Sequence, residues 1–140
     1  MEIDWKRVLW IVVSLVLLQV VNHVGDVIQV WEGITETQNQ QIVGDEVAHF
    51  SPYLRFFDVA LVAPLAEEVV FRGILPLLVF KKYPRLGYVV GAVAFGMLHS
   101  VSSISDAVIY IGAGLVLAIA SYRYGKLSDS LIVYIINNAL

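Results

Sequence analysis

One apolar stretch near the middle of the chain decides the fold. It reads Phe56-Phe57-Asp58-Val59-Ala60-Leu61-Val62-Ala63-Pro64-Leu65-Ala66-Glu67-Glu68-Val69-Val70-Phe71-Arg72-Gly73-Ile74-Leu75-Pro76-Leu77-Leu78-Val79-Phe80. Its composition is typical of a membrane span, yet Glu67, Glu68 and Arg72 lie inside it. Each charge near a bilayer centre costs on the order of 3 kcal/mol. These three side chains must therefore be paired with each other, hydrated, or retained because they have a function.

The composition of the whole chain agrees with a membrane location. Of its 140 residues, 59% are hydrophobic and 15% are charged, and the mean hydropathy is +0.77. Soluble domains are about half apolar and about a quarter charged. The net charge of −3 without a basic patch argues against a nucleic-acid partner, and the absence of cysteine removes thiolate chemistry. We therefore predict an integral protein of the cell membrane, with lipid as a partner.

The apolar segments predict an all-α fold, a polytopic bundle of about five transmembrane helices. The predicted spans cover residues 8–31, 53–80, 86–99, 107–122 and 127–140. The last one is short of the roughly 20 residues that a span requires, so it either stops within the bilayer or belongs to a longer protein. Two segments are predicted. Residues 1–52 form an N-terminal transmembrane helix followed by a polar, acidic, extracytoplasmic loop with room for one short helix, and residues 53–140 form a membrane core.

The distribution of basic residues predicts the orientation, because short loops rich in Lys and Arg stay cytoplasmic. If the spans alternate, the basic loops lie on one side and the acidic 32–52 loop lies on the other. The N-terminus is then cytoplasmic. The residues that decide this are Lys6, Arg7, Lys81, Lys82, Arg85, Arg123 and Lys126.

Small residues at four-residue spacing predict where helices pack closely. Gly87 with Gly91 and Gly114 with Ala118 each place two small side chains on one helix face. Such pairs allow two backbones to approach within a membrane. We expect them to serve packing alone.

The spacing of the three charges predicts one ion pair and one unpaired carboxylate. On a helix, Glu68 and Arg72 share a face in the favoured acid-before-base order. Glu67 is rotated by about 100°, without an obvious partner. An apolar setting favours the neutral form of a carboxyl group, which makes Glu67 a candidate general base.

Two prolines bracket this cluster. Pro64 and Pro76 lack a backbone N–H, so the carbonyls of Ala60 and Arg72 lose their helical partners. Irregular hydrogen bonding at membrane depth is tolerated where the backbone is buried in protein or lines a water-filled cavity. The charged cluster is therefore expected to face water or other helices.

Other polar residues follow in later spans. His99 lies one turn after Phe95, and Tyr134 shares a face with Asn138. Taken singly, each is more often an interhelical hydrogen-bonding residue than a catalytic one. One interpretation is therefore that all of these polar residues only hold the helices together.

Three motifs, taken in their order along the chain, indicate a known family. They are Glu67-Glu68-x-x-x-Arg72, Phe95-x-x-x-His99 and, in the last helix, x-x-x-Asn138. Together they resemble the CPBP (Abi) family of intramembrane endopeptidases, which are related to CAAX prenyl proteases and to bacteriocin-processing or immunity proteins. The resemblance covers residues 53–140.

The resemblance implies a helical protease that cleaves near the cytoplasmic face without a nucleophilic side chain. Glu67 would activate a water assisted by His99, and Asn138 would donate to the oxyanion. Glu68 and Arg72 would form a supporting ion pair. The implied substrate is a peptide or lipidated peptide: a prenylated CAAX-type, leader or bacteriocin peptide. No cofactor is expected. An alternative metalloprotease mechanism would place zinc on Glu67 and His99.

Tyr134 departs from the family pattern, whose third motif is His-x-x-x-Asn. A phenol can still donate one hydrogen bond to an oxyanion, but it is a poor zinc ligand. The departure therefore weakens the zinc mechanism more than the glutamate mechanism, and we expect no compensation from His23 or His49. It also leaves a second function open, that of a catalytically impaired relative acting as a bacteriocin self-immunity or peptide-binding membrane protein.

Overall fold

The computed structural model describes residues 4–140, and these are helical apart from short connections. Six continuous helices follow one another. They are α1 (Trp5–Glu32), α2 (Gln38–Glu46), α3 (52–79), α4 (Pro84–Leu98), α5 (Ile104–Tyr124) and α6 (Leu127–Ala139). Within residues 4–140 no strand occurs, which confirms the prediction of an all-α fold. Helix α2 is the short helix for which the 32–52 loop had room.

The ends of the first helices follow from local sequence signals. The Asp4 carboxylate accepts hydrogen bonds from the first N–H groups of α1, and Gly33 ends the helix in the left-handed conformation (φ 72°). Asp is a common residue at the start of a helix, because its carboxylate satisfies free backbone N–H groups. Glycine is common at the end, because it adopts the left-handed conformation without a steric clash of a Cβ. Thr37 begins α2 with a capping box, in which Thr37 and Gln40 satisfy each other's backbone N–H.

Helix α3 carries the charged stretch and alternates between two hydrogen-bonding patterns. It consists of α-helical turns (Pro52–Phe57, Ala63–Glu68) and π-helical turns (Asp58–Val62, Val69–Val79). The N–H of Ala63 bonds to the carbonyl of Asp58, five residues earlier. A π-turn lies just before Pro64 and another contains Pro76, as expected where a proline interrupts the regular ladder.

Glycines allow α3, α4 and α5 to pack at backbone distance. A Cβ added to Gly91 would lie 2.6 Å from the carbonyl oxygen of Phe71, and one added to Gly87 would lie 2.5 Å from the Cα of Pro76. A Cβ at Gly114 would lie 2.6 Å from the carbonyl oxygen of Ala92. The close approach predicted at these glycines is confirmed.

Basic residues collect at one end of the bundle, which we call the basic end. The Nε of Arg7 donates to Asp129 Oδ1 over 2.8 Å, which joins the starts of α1 and α6. The Nε of Arg85 donates to the Tyr122 hydroxyl over 2.8 Å, which joins the start of α4 to the end of α5. These contacts place the 80–84 and 125–126 turns at the same end.

The opposite end, which we call the acidic end, is formed by the end of α1, helix α2 and the 99–104 turn. The carboxylate of Glu32 accepts hydrogen bonds from the N–H groups of Ile104 and Ser105, over 3.0 and 3.1 Å. The hydroxyls of Thr37 and Tyr110 lie 2.7 Å apart. These bonds tie the 33–52 segment to the start of α5.

The buried core lies between the two ends. Its apolar members come from five helices: Leu18, Phe71, Phe95, Leu117, Val133 and Tyr134. Many large apolar side chains instead face outward along the helices, as they do in a protein surrounded by lipid.

Two helices, Trp5–Glu32 and Ile104–Tyr124, are long and apolar enough to cross a membrane, and Pro84–Leu98 is a shorter apolar helix. The number of spans and the cytoplasmic N-terminus stay predictions.

Candidate functional site

Glu68 and Arg72 form a buried ion pair that joins three helices. Arg72 Nη1 lies 2.9 Å from Glu68 Oε1, with both side chains fully buried. The Ser130 hydroxyl donates to Glu68 Oε2 from α6, and Arg72 Nη2 donates to the Gly114 carbonyl of α5 over 3.0 Å. We call this set (Glu68, Arg72, Ser130 and the Gly114 carbonyl) the buried clamp. The predicted pair between Glu68 and Arg72 is confirmed.

Glu67 lies on a different face of α3 and meets α4 and α6. The Tyr134 hydroxyl donates to Glu67 Oε2 over 2.7 Å, and His99 Nε2 lies 3.9 Å from Glu67 Oε1. The expectation that Glu67 has no partner is wrong, because folding brings a phenol from 67 residues away against it. We call Glu67, His99 and Tyr134 the open cluster, since the Glu67 side chain is 27% exposed.

The orientation of His99 follows from its contacts. Its Nδ1 lies 2.7 Å from the carbonyl oxygen of Phe95, and a carbonyl only accepts, so Nδ1 carries the proton. In the neutral ring Nε2 then has a free lone pair, and it faces Glu67. The ring is stacked on Tyr110, with centroids 4.8 Å apart and planes at 19°, and it also packs on Phe95 with centroids 4.3 Å apart. These contacts fix the ring in place.

Asn138 donates a hydrogen bond to a backbone carbonyl of α3 that lacks a partner within the helix. The Ala63 N–H is taken by Asp58, and the next donor in the π pattern would be Pro64, which has none. The carbonyl of Val59 is therefore unpaired within the helix, and Asn138 Nδ2 donates to it over 3.0 Å. The prediction concerned the carbonyl of Ala60; the hydrogen bond that the structure shows goes to the carbonyl of Val59, one residue earlier.

The two predicted oxyanion donors thus have partners within the protein. The single O–H of Tyr134 donates to Glu67. Asn138 has two N–H bonds, and the bond to Val59 uses one. The side chain of Asn138 also accepts a hydrogen bond from Asn137.

The side chains around Glu67 fit a zinc ion poorly. A catalytic zinc usually has three protein ligands of the His, Asp, Glu or Cys type. Among residues 4–140, no group of three or more such side chains could hold a metal ion. Here Glu67 and His99 supply two groups and Tyr134 supplies a phenol. His23 and His49 are exposed and belong to no such group.

The fold and the site define a class: a helical membrane protein with a carboxylate and an imidazole facing each other inside the bundle. Residues 49–140 match the family described as type II CAAX prenyl endopeptidase Rce1-like. The chain belongs to this family, which confirms the resemblance carried by residues 53–140.

Two curated relatives come from Lactococcus lactis. The UPF0177 protein YaiH of subsp. lactis (strain IL1403) is 27% identical over 89 residues, which cover 64% of this chain and 36% of that protein. The UPF0177 protein in abiGi 5'region of subsp. cremoris is 29% identical over 89 residues, 64% of this chain and 37% of the relative. The matched region is therefore little more than a third of the length of these relatives. No solved structure matches the chain.

Proposed function

We propose that the chain is an intramembrane endopeptidase that hydrolyses a peptide bond with a water molecule activated by Glu67. The observation that carries this proposal is the open cluster. Glu67 Oε1 and His99 Nε2 face each other at 3.9 Å, too far apart for a direct hydrogen bond. A water molecule about 2.8 Å from each atom fits beside both. Membership of a family described as endopeptidases supports the same reaction.

The proposed reaction uses Glu67 first as a base and then as an acid. Its Oε1 takes a proton from the water while the water oxygen attacks the carbonyl carbon of the scissile bond. The C–N bond then breaks, and Glu67 returns the proton to the leaving nitrogen. His99 accepts a hydrogen bond from the water through Nε2 and orients it. Such acid–base help accounts for roughly 10²–10⁴-fold of a rate enhancement.

Asn138 is the proposed donor to the oxyanion. One N–H of its amide donates to the Val59 carbonyl, which fixes the amide in place, and the other is the proposed oxyanion donor. Preorganised donors of this kind stabilise the developing negative charge without reorganising during the reaction. Tyr134 acts differently in this proposal, as a positioning residue that holds Glu67 Oε2 and leaves Oε1 free for water.

The buried clamp supports the site without taking part in the chemistry. Arg72 lies over the ring of Phe95, 4.6 Å from its centroid, and Phe95 packs on His99. The pair of Glu68 and Arg72 thus fixes α3 against the helix that bears the imidazole. We propose that the substrate is a peptide held at the membrane, of the prenylated CAAX, leader or bacteriocin type.

Substitution of Glu67 by Gln tests this function, because the change removes the base and keeps the volume. The purified chain, reconstituted in liposomes, is incubated with a farnesylated CAAX-type peptide and with a leader-bearing peptide, and products are identified by mass spectrometry. We expect cleavage by the wild type and by Glu36→Gln, an exposed control on the acidic end. Unchanged cleavage by Glu67→Gln would exclude Glu67 as the base.

A specific observation favours a second function, that of a peptide-binding or bacteriocin self-immunity protein. Tyr134 occupies one oxygen of the proposed base where the family motif has histidine. If this contact restrains Glu67, Tyr134→His should raise cleavage strongly from a low or absent wild-type level. In that case Glu67→Gln should leave protection of cells against a bacteriocin unchanged. Equal cleavage by wild type and Tyr134→His would show that tyrosine serves the enzyme well.

A further inference from the structure

Four amide side chains form a continuous series of hydrogen bonds across three helices. On α1, Gln19 Nε2 and Asn22 Nδ2 each donate to Asn137 Oδ1 over 2.9 Å. On α6, Asn137 Nδ2 donates to Asn138 Oδ1 over 3.1 Å, and Asn138 Nδ2 donates to the Val59 carbonyl of α3 over 3.0 Å. We call Gln19, Asn22, Asn137 and Asn138 the amide chain. It joins α1 to α3 through the end of α6.

The Val59 carbonyl fixes the direction of every bond in the amide chain. A carbonyl only accepts, so the atom of Asn138 that faces it is the nitrogen. The oxygen of Asn138 then faces Asn137, which must present its own nitrogen there. The oxygen of Asn137 is left to face α1, where it meets two donors. A reversed Asn138 amide would set oxygen against oxygen at Val59 and nitrogen against nitrogen at Asn137.

The position of the amide chain along α1 makes its members depend on one another. Gln19 lies midway along this helix, which is long and apolar enough to cross a membrane. At such a depth an amide that loses its partner finds no water to replace it. Polar side chains there bond to neighbouring helices instead. A change at Gln19 or Asn22 is therefore expected to act on Asn138, through Asn137.

The last member of the amide chain shares a face of α6 with a member of the open cluster. Asn138 follows Tyr134 by one helical turn. Both side chains donate to α3, Tyr134 at Glu67 and Asn138 at Val59. Because one N–H of Asn138 is held by Val59, the direction of the other N–H depends on the orientation of the whole amide. A reversed amide would present an oxygen in its place, which repels a developing negative charge.

We propose that Asn137 is a positioning residue for Asn138, and that α1 holds Asn137 in place through Gln19 and Asn22. This inference rests on the proposed function, in which Asn138 donates to the oxyanion. It extends the site to α1, which precedes the residues 49–140 that match the family. The amide chain thereby keeps Asn138 in the one orientation in which it is a donor toward α3.

The orientation of the Asn138 amide can be followed without an assay of cleavage. The asparagines of the chain are Asn22, Asn39, Asn137 and Asn138, so isotope-enriched asparagine gives a small set of side-chain amide signals in an NMR spectrum of the protein in detergent micelles. Single Asn→Leu variants assign them. We expect the double variant Gln19→Leu with Asn22→Leu to shift the side-chain resonances of Asn138, although neither residue contacts it.

Trp10→Phe is the matched control on α1. It removes the hydrogen bond of Trp10 Nε1 to the Ala120 carbonyl of α5 (3.2 Å) and leaves the contacts of α1 with α6 in place. We expect the Asn138 resonances to stay unchanged in this variant. An equal shift in Trp10→Phe, or no shift in the double variant, would overturn the proposal. Asn22→Leu alone serves as the second variant if the double variant does not fold.

Kinetics test the positioning role itself. Asn137→Leu should lower kcat, at most by the roughly 10²–10³-fold expected for the loss of an oxyanion donor, with little change in KM. In the Asn138→Ala background the same change should lower kcat no further, because Asn137 acts through Asn138. An undiminished loss in that background would overturn the positioning role. If the wild type cleaves no peptide while the Asn138 resonances shift as expected, the proposed function fails and the coupling of α1 to Asn138 stands.

Discussion

Glu67 and Glu68 are neighbours in the sequence and lie in two regions with opposite physical properties. Glu68 has no exposed surface and is held by Arg72 and Ser130. Glu67 is 27% exposed and faces His99 across a gap of 3.9 Å. A rotation of about 100° between successive helical residues separates them. Two adjacent carboxylates therefore differ in role. Glu68 stabilises the bundle through a buried ion pair, whereas Glu67 stays partly exposed beside His99.

The largest expected effect is on catalysis and distinguishes the two glutamates directly. Glu67→Gln should lower peptide cleavage by roughly 10²–10⁴-fold, the usual contribution of a general base. Its thermal unfolding temperature in detergent should stay close to that of the wild type, since the amide keeps the volume and still accepts a hydrogen bond from Tyr134. A strongly lowered unfolding temperature would show that Glu67, like Glu68, stabilises the fold.

The complementary change, Glu68→Gln, should act on stability. It leaves the Arg72 guanidinium buried without its counter-charge, and breaking a buried pair from one side costs about 3–5 kcal/mol. Circular dichroism during thermal unfolding measures the effect. The double variant Glu68→Gln with Arg72→Met should be less destabilised than the sum of the two single changes. Additive losses would mean that the two side chains do not interact.

The close packing of α4 on α3 at Gly91 gives a third prediction. Gly91→Ala should destabilise the protein by about 1–3 kcal/mol, since its Cβ would lie 2.6 Å from the Phe71 carbonyl oxygen. Gly44→Ala is the matched control, because nothing lies within 4 Å of its Cβ, and an alanine within a helix should stabilise by roughly 0.5–1 kcal/mol. Equal effects of the two changes would contradict the packing of α3 on α4.

Loss of the Asn138 contact should affect the stability of the protein and the rate of cleavage separately. Asn138→Ala leaves the Val59 carbonyl without its donor, at a cost of about 1–3 kcal/mol. If Asn138 also donates to the oxyanion, kcat should fall by about 10²–10³-fold, while KM changes little. A loss of stability with normal kcat would restrict Asn138 to a structural role.

The smallest expected effect concerns metal removal. Since the side chains around Glu67 supply two usual zinc ligands and a phenol, we expect a chelator such as EDTA to leave both cleavage and thermal stability unchanged. Loss of cleavage that zinc restores would instead support the metalloprotease mechanism, with Glu67 and His99 as ligands.

Much of the buried clamp could be predicted from sequence, because its central pair is local. Glu68 and Arg72 are four residues apart on one helix, and that spacing alone brings them together. The same holds for the small residues at Gly87 and Gly91. The open cluster was predicted in membership and not in geometry. Its residues come from three helices, and nothing in the local spacing shows which atom Tyr134 contacts.

The role of Asn138 illustrates why local rules were insufficient. The sequence predicts that Pro64 leaves a carbonyl unpaired, and the α-helical pattern assigns this to Ala60. The carbonyl that accepts a hydrogen bond from Asn138 is that of Val59, within a π-turn of α3. Local spacing does not reveal that a side chain 79 residues away in the sequence donates to this carbonyl.

The sequence by itself determined that the chain is an apolar helical protein, that Glu68 pairs with Arg72, and that its motifs resemble those of its family apart from Tyr134. These properties depend on composition and on spacing within single helices. Only the tertiary structure decided that Tyr134 binds Glu67 and that His99 faces the same carboxylate. These depend on the relative placement of helices, which is set by packing between residues far apart in the chain.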